Sequence, residues 1–263
     1  MTSDSWRSDI TDLWWLTSRY IRWHLSHPGY LTMNLIQPAV WLFFFGGLFR
    51  GLAAPVGLDS GGYLGYLVPG VVIMTALSGS LWTGLNLLGE AQQGILDRFL
   101  VTPVRRSVLL YSSLVAQATI SSAQALVILG MGRLGGARYP GGLLGVAALV
   151  LVTAVLSTMI GGLSHAFALL ARKQPTVIVL NNSLFLPMTF LSTAFTAASL
   201  MPRWMASLAR FNPMNWALSL GRAALTGSFS WQSVFLHAGC LLGLTVLALW
   251  LTLRALLIYQ KVV

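Results

Sequence analysis

Five ionisable side chains crowd into one short stretch, Glu90–Leu110, which reads EAQQGILDRFLVTPVRRSVLL and lies between two long apolar blocks. They are Glu90, Asp97, Arg98, Arg105 and Arg106. Ile95, Leu96, Phe99 and Leu100 fall at one- and three-residue steps, so a short helix puts them on one face and points Asp97 and Arg98 elsewhere. Thr102-Pro103 ends that helix, because proline disfavours a helical residue before it. Gly94, just ahead, reads as a hinge. Two readings fit: an amphipathic helix held at a membrane surface between two spans, or an ordinary basic connector.

Other chemistry is conspicuously missing from the chain. No GxxxxGK[ST] phosphate cradle occurs, and the two lysines, Lys173 and Lys261, do not follow a glycine. The protein is therefore expected not to hydrolyse nucleotide itself. There is no HExxH, no GxSxG and no Cys/His cluster, so neither a catalytic residue nor a metal site is assigned. The one cysteine, Cys240, lies in an apolar run and has no intramolecular partner.

Uncharged polar residues form stripes instead. Asn34, Gln37, Trp41 and Phe44 or Phe45 share a face of one apolar block, and Ser113, Gln117, Ser121 and Gln124 share a face of another. Asn181, Asn182, Phe185 and Met188 cluster in a third. Such stripes serve either as interhelical hydrogen bonds, each contributing roughly 0.6–2 kcal/mol, or as a path for an amphiphile, with amides for its polar parts and aromatic or methionine surface for its apolar parts. Gly239 and Gly243 form a small-xxx-small pair suited to close helix packing.

The elements that must carry these residues follow from composition. Of 263 residues, 56% are hydrophobic and 8% charged, against about 25% charged in soluble domains. The net charge of +10 belongs in loops facing anionic lipid, and no basic stripe suggests nucleic acid. Asp4, Asp9 and Asp12 precede any apolar run, unlike a signal peptide. Residues 9–27 read as an interfacial helix broken by Pro28-Gly29. Six spans are expected at 30–49, 63–88, 107–131, 141–170, 176–197 and 234–259, with a polar loop at 90–106. Pro202 and Pro213 interrupt residues 199–231, and Arg203, Arg210 and Arg222 charge them. That segment reads as two short helices dipping into the membrane edge and returning.

The prediction is thus an all-α membrane protein with one transmembrane domain. Ten basic residues fall on the side of the termini and the polar stretch and six on the other, which places both termini in the cytoplasm. No Asp, Glu or Lys lies mid-span, which argues against a proton-driven carrier. His165, the titratable side chain well inside a span, reads as a packing residue rather than a relay.

Two stretches together resemble a known family. EAQQGILDRFLVTPVRRSVLL is similar to the first cytoplasmic loop of type-2 ABC exporter permeases, although Glu90 is followed by Ala91 where that family's acidic-Arg pair usually stands. MPRWMASLARFNPMNWALSLGRAAL resembles the same family's segment before the last span, with its Pro-x-Trp, Asn-Pro and downstream Arg. The resemblance spans essentially the whole chain and is nearest to daunorubicin/doxorubicin-resistance and nodulation-factor export permeases.

The resemblance implies a permease in a bacterial plasma membrane that pairs with itself or a sister permease. Two separate ATPase subunits would dock on its cytoplasmic face and hold the ATP and Mg; this chain would bind no cofactor. Residues Gly94–Thr102 would form the coupling helix, fixed by Glu90, Asp97, Arg98, Arg105 and Arg106, with Ile95 and Phe99 toward the ATPase and Thr102-Pro103 as its end. Residues 200–222 would form re-entrant helices closing the exit, so Pro202, Trp204, Asn212, Pro213, Asn215 and Arg222 are outward-gate candidates. Arg222 would cap carbonyls or meet an anionic headgroup there, or act as a structural hydrogen-bond hub. The cargo would be a drug, antibiotic, lipid or glycolipid. Export of polysaccharide, an ATP-independent channel and a membrane scaffold are the alternatives.

Overall fold

The computed structural model describes residues 4–48, 62–93, 106–195, 201–228 and 230–260. Among them the chain is helical, with no strand. Helix α1 covers Asp4–Ser26. Only His27 separates it from α2, Pro28–Val40, because Pro28 stands at the first helical position, where its missing N–H costs nothing. A π-helical turn, Trp41–Phe45, and the short α3, Gly46–Leu48, continue the same path.

Next come α4, Gly62–Leu81, and α5, Thr83–Gln92, separated at Trp82. Helix α6 is Arg106–Leu134 and α7 is Gly142–Ala171. Helix α8 is Gln174–Phe190; α9, Arg203–Ala209, and α10, Pro213–Thr226, precede α11, Trp231–Gln260.

Four stretches among the described residues are long and apolar enough to cross a membrane: Tyr63–Gln92, Val108–Leu134, Gly142–Ala171 and Trp231–Tyr259. The remaining two expected spans differ. Asn34–Leu48 is a shorter apolar helix. Helix α8 has 17 residues, or about 26 Å at 1.5 Å per residue, short of the roughly 30 Å core. It stops at Phe190 rather than running to residue 197, since Leu191 leaves helical geometry (φ −90°, ψ 37°). The carbonyls beyond are bonded by other helices instead.

Helix α7 is the hub, packing against α4, α5, α6, α8, α10 and α11. Leu149, Leu156, Met159 and Ile160 are fully or almost fully buried along it. Small residues let its neighbours approach. A Cβ on Gly141 or Gly145 would lie 2.0 or 2.2 Å from the Ala224 carbonyl oxygen of α10. Gly162 meets Thr252 and Ala248 of α11. Among the described residues of this chain, the Gly239–Gly243 pair has no neighbour within 4 Å of either added Cβ, so close packing inside the chain falls to the α7 glycines.

Candidate functional site: a polar cleft, a carbonyl hub and an ion-paired helix end

Two adjoining hollows form one cleft. The first collects Asn34, Gln37 and Trp41 from α2 and its π turn, Gln117 and Gln124 from α6, and Phe185 from α8. The second continues past Asn181 and Asn182 of α8. Gln37, Ser78, Trp82 and Phe185 line both. Among the described residues no Asp, Glu, Lys or Arg lines it, and His24 is the one titratable group there.

The three polar stripes are thus divided by tertiary packing. Asn34, Gln37, Gln117, Gln124, Asn181 and Asn182 reach the cleft. Ser121 does not: it is buried, accepts from Gln117 Nε2 (3.2 Å) and bonds Ser157 of α7 (3.0 Å). Ser157 also bonds Ser80 of α4 (2.7 Å), so this is a helix-to-helix clasp. Ser113 bonds Nε2 of the buried His165 (3.2 Å), whose Nδ1 has no hydrogen-bond partner among the described residues. Met188 is buried away from the cleft lining.

The π turn sorts the aromatics. Trp41 and Phe45 stack at 4.8 Å and both approach Phe195, while Phe44 is 61% exposed. Sequence reasoning missed Trp82, His24 and Ser78. Trp82 sits in an apolar block, and its only sequence signal is a four-residue step from Ser78.

The gate candidates also separate. Pro202 caps α9 and is exposed, and Trp204 is 63% exposed, so both lie apart from the hub. Asn212 caps α10: its Oδ1 accepts from Met214 N–H (3.0 Å), and its Nδ2 donates to the carbonyls of Met188 (2.7 Å) and Leu191 (2.9 Å). Pro213 stands at the first position of α10. Asn215 Oδ1 accepts from the N–H and hydroxyl of Thr193.

Arg222 completes this hub. Its guanidinium donates to Thr193 O (2.6 Å) and Thr193 Oγ1 (3.0 Å), with longer contacts to Ala194 O and Tyr66 O. It also lies 3.7 Å over the Tyr66 ring. Tyr63 and Tyr66 hydroxyls donate to Phe195 O and Thr193 O, both at 2.9 Å. The carbonyls freed where α8 stops at Phe190 are satisfied here, as buried backbone demands.

At the other end of α5, Glu90 is helical rather than part of a loop. It pairs with Arg19 of α1 (3.1 Å) and accepts from the Tyr20 hydroxyl (2.7 Å). Burial, then the Glu90 carboxylate, pushes the Tyr20 phenol above its ordinary value, so it stays a donor. Gly94, Ile95, Asp97, Arg98, Phe99, Thr102, Pro103 and Arg105 lie outside the described residues, and Arg106 begins α6.

Residues 11–226 match the family model described as ABC-2 type transporter. The ycf38 transport permease of Cyanophora paradoxa is 30% identical over 213 residues, 80% of this chain and 72% of the relative. The daunorubicin resistance ABC transporter permease protein DrrB1 of Streptomyces coeruleorubidus is 26% identical over 93% of this chain and 84% of its own length. A doxorubicin resistance ABC transporter permease protein, DrrC of Mycobacterium tuberculosis, is 27% identical over 81% of this chain and 74% of its own length.

Proposed function

The chain belongs to the ABC-2 type transporter family, and on that premise we propose that it exports an amphiphile using ATP hydrolysed by separate partner subunits. As a member of that family it is a multi-pass membrane transport permease. The observation that carries the finer reading is the cleft. It brings five amides (Asn34, Gln37, Gln117, Gln124 and Asn182) and three aromatic rings, from helices far apart in sequence, around one hollow with no fixed charge among the described residues. Amides there satisfy the polar atoms of a cargo, and Trp41, Trp82 and Phe185 cover its apolar rings.

The drug-resistance relatives favour a drug or antibiotic as the cargo class. The reading places both termini and residues 94–105 in the cytoplasm, against two ATPase subunits, with a second permease completing the path. Arg19, Tyr20 and Glu90 then tie the interfacial helix to the arm entering the coupling segment. ATP-driven closure of the ATPases pushes that segment, and the cleft opens outward.

The test is daunorubicin efflux from proteoliposomes holding the permease with its co-purified ATPase. Phe99→Ala and Arg98→Glu should insert normally, retain basal ATP hydrolysis and lose drug-stimulated hydrolysis. Efflux that survives in both variants rejects the coupling assignment. Transport with no ATPase present points instead to a channel or carrier.

A further inference from the structure

The membrane helix that leads to the polar stretch is not continuous, and the way it is interrupted is specific. Trp82 N–H turns back to Gly79 O at 3.3 Å, a three-residue step rather than the helical four. The Thr83 hydroxyl takes Ser80 O (2.7 Å), the acceptor that Gly84 would use in a regular helix. Gly84 N–H is bonded instead to Ser164 Oγ of α7 (3.2 Å). The Ser164 hydroxyl donates to Leu81 O (2.6 Å), and Asn181 Nδ2 of α8 donates to the same oxygen (2.6 Å) and to Ser164 Oγ (3.2 Å).

Side chains from α7 and α8 therefore engage the Gly84 N–H and the Leu81 carbonyl at the break, while Trp82 keeps helical backbone angles (φ −77°, ψ −15°) and its carbonyl accepts from Asn86 N–H (3.0 Å). Ser164 is fully used, donating once and accepting twice. Asn181 spends both amide hydrogens and leaves its Oδ1 buried without a partner. The approach is also close: a Cβ on Gly84 would sit 2.2 Å from the Ser164 carbonyl oxygen. Trp82, at the break, is 54% exposed and lines both halves of the cleft.

We propose that residues 80–84 form a joint, clasped by Ser164 and Asn181, that makes α5 a lever between the cleft and the segment entering residue 94. Ser164 and Asn181 are positioning residues for transport. Asn181, placed on the cargo path from sequence, works mainly through the joint. The proposal deepens the exporter reading and rests on it. Helix α5 spans ten residues, about 15 Å long, so a swing of about 10° at Trp82 moves its far end by about 3 Å. Its far end is held by Glu90 to α1, so a push on the cytoplasmic side reaches the break and, through Trp82, the cleft.

The test uses the full chain with its co-purified ATPase in nanodiscs, comparing Ser164→Ala and Asn181→Leu with the unaltered protein. Drug transported per ATP hydrolysed should fall about tenfold while basal hydrolysis stays within about twofold. Spin labels on Gln92→Cys and on the exposed Leu257→Cys at the same end of α11, in a Cys240→Ser background, report the arm. Their separation should shift by about 3 Å on adding a non-hydrolysable ATP analogue, and lose that response in both variants. An unshifted distance, or clasp variants that transport normally, overturns the joint. If the unaltered protein has no ATPase partner, the exporter reading fails by itself. The joint is then decided on the permease alone: a widened label distribution in both variants supports it, and an unchanged one rejects it.

Discussion

Replacing Arg222 separates a structural hub from a ligand-binding cation. The guanidinium makes two short charge-assisted bonds, to Thr193 O at 2.6 Å and Thr193 Oγ1 at 3.0 Å. Each is worth about 1.5–3 kcal/mol. The contacts at 3.4 and 3.5 Å add little, and the stacking on Tyr66 adds about 1–2 kcal/mol. These terms overlap because they share one side chain. Arg222→Ala should therefore cost roughly 3–5 kcal/mol, although the Thr193 carbonyl keeps the Tyr66 hydroxyl as a donor. At 2–4 °C per kcal/mol, thermal unfolding followed by tryptophan fluorescence should fall by about 10 °C. Arg222→Lys keeps the charge but not the fork and should lose about half as much. A melting temperature within about 2 °C of wild type in Arg222→Ala, with export abolished, would refute the hub and favour a headgroup site.

Three further outcomes follow from the same geometry. The Arg19–Glu90 pair is partly exposed (41% and 20%), so Arg19→Glu or Glu90→Gln should shift stability by about 1 kcal/mol or less. Each should nonetheless lower drug transported per ATP, and the reversal Arg19→Glu with Glu90→Arg should restore it in a double-mutant cycle. Gln37→Ala and Phe185→Ala should each raise the drug concentration giving half-maximal ATPase stimulation about fivefold to tenfold, the loss of one amide or ring contact. Ser121→Ala, whose hydroxyl is committed to Ser157, should leave that concentration unchanged. Gly145→Ala forces a Cβ to within 2.2 Å of Ala224 O and should cost about 1–3 kcal/mol in thermal unfolding. Gly239→Ala and Gly243→Ala, with open space around them, should be neutral or better in the same assay.

Much of this molecule is local in origin. A chain with 56% hydrophobic and 8% charged residues must place most of its length in lipid, and there only internally bonded helices are stable. The breaks at Pro28 and at Pro202 and Pro213 are equally local, because a proline imposes its own backbone angles on the residues beside it. The paired loop motifs carried the family resemblance, and the match over residues 11–226 agrees with it.

What required the tertiary structure is the partner each polar group finds. A 3.6-residue period says that Gln117, Ser121 and Gln124 share a face, but not that Ser121 meets Ser157 while its neighbours meet a hollow. It puts Asn181 in a membrane helix, but cannot show that its amide holds the Leu81 carbonyl a hundred residues away. The early stop of α8 depends on donors from α4 and α10, and Glu90 finds its cation on α1 rather than within its own loop. Lipid tails are as apolar as a leucine side chain, so hydrophobicity along the chain does not tell a helix face toward lipid from one toward protein. That choice is made by shape and hydrogen bonding between distant segments.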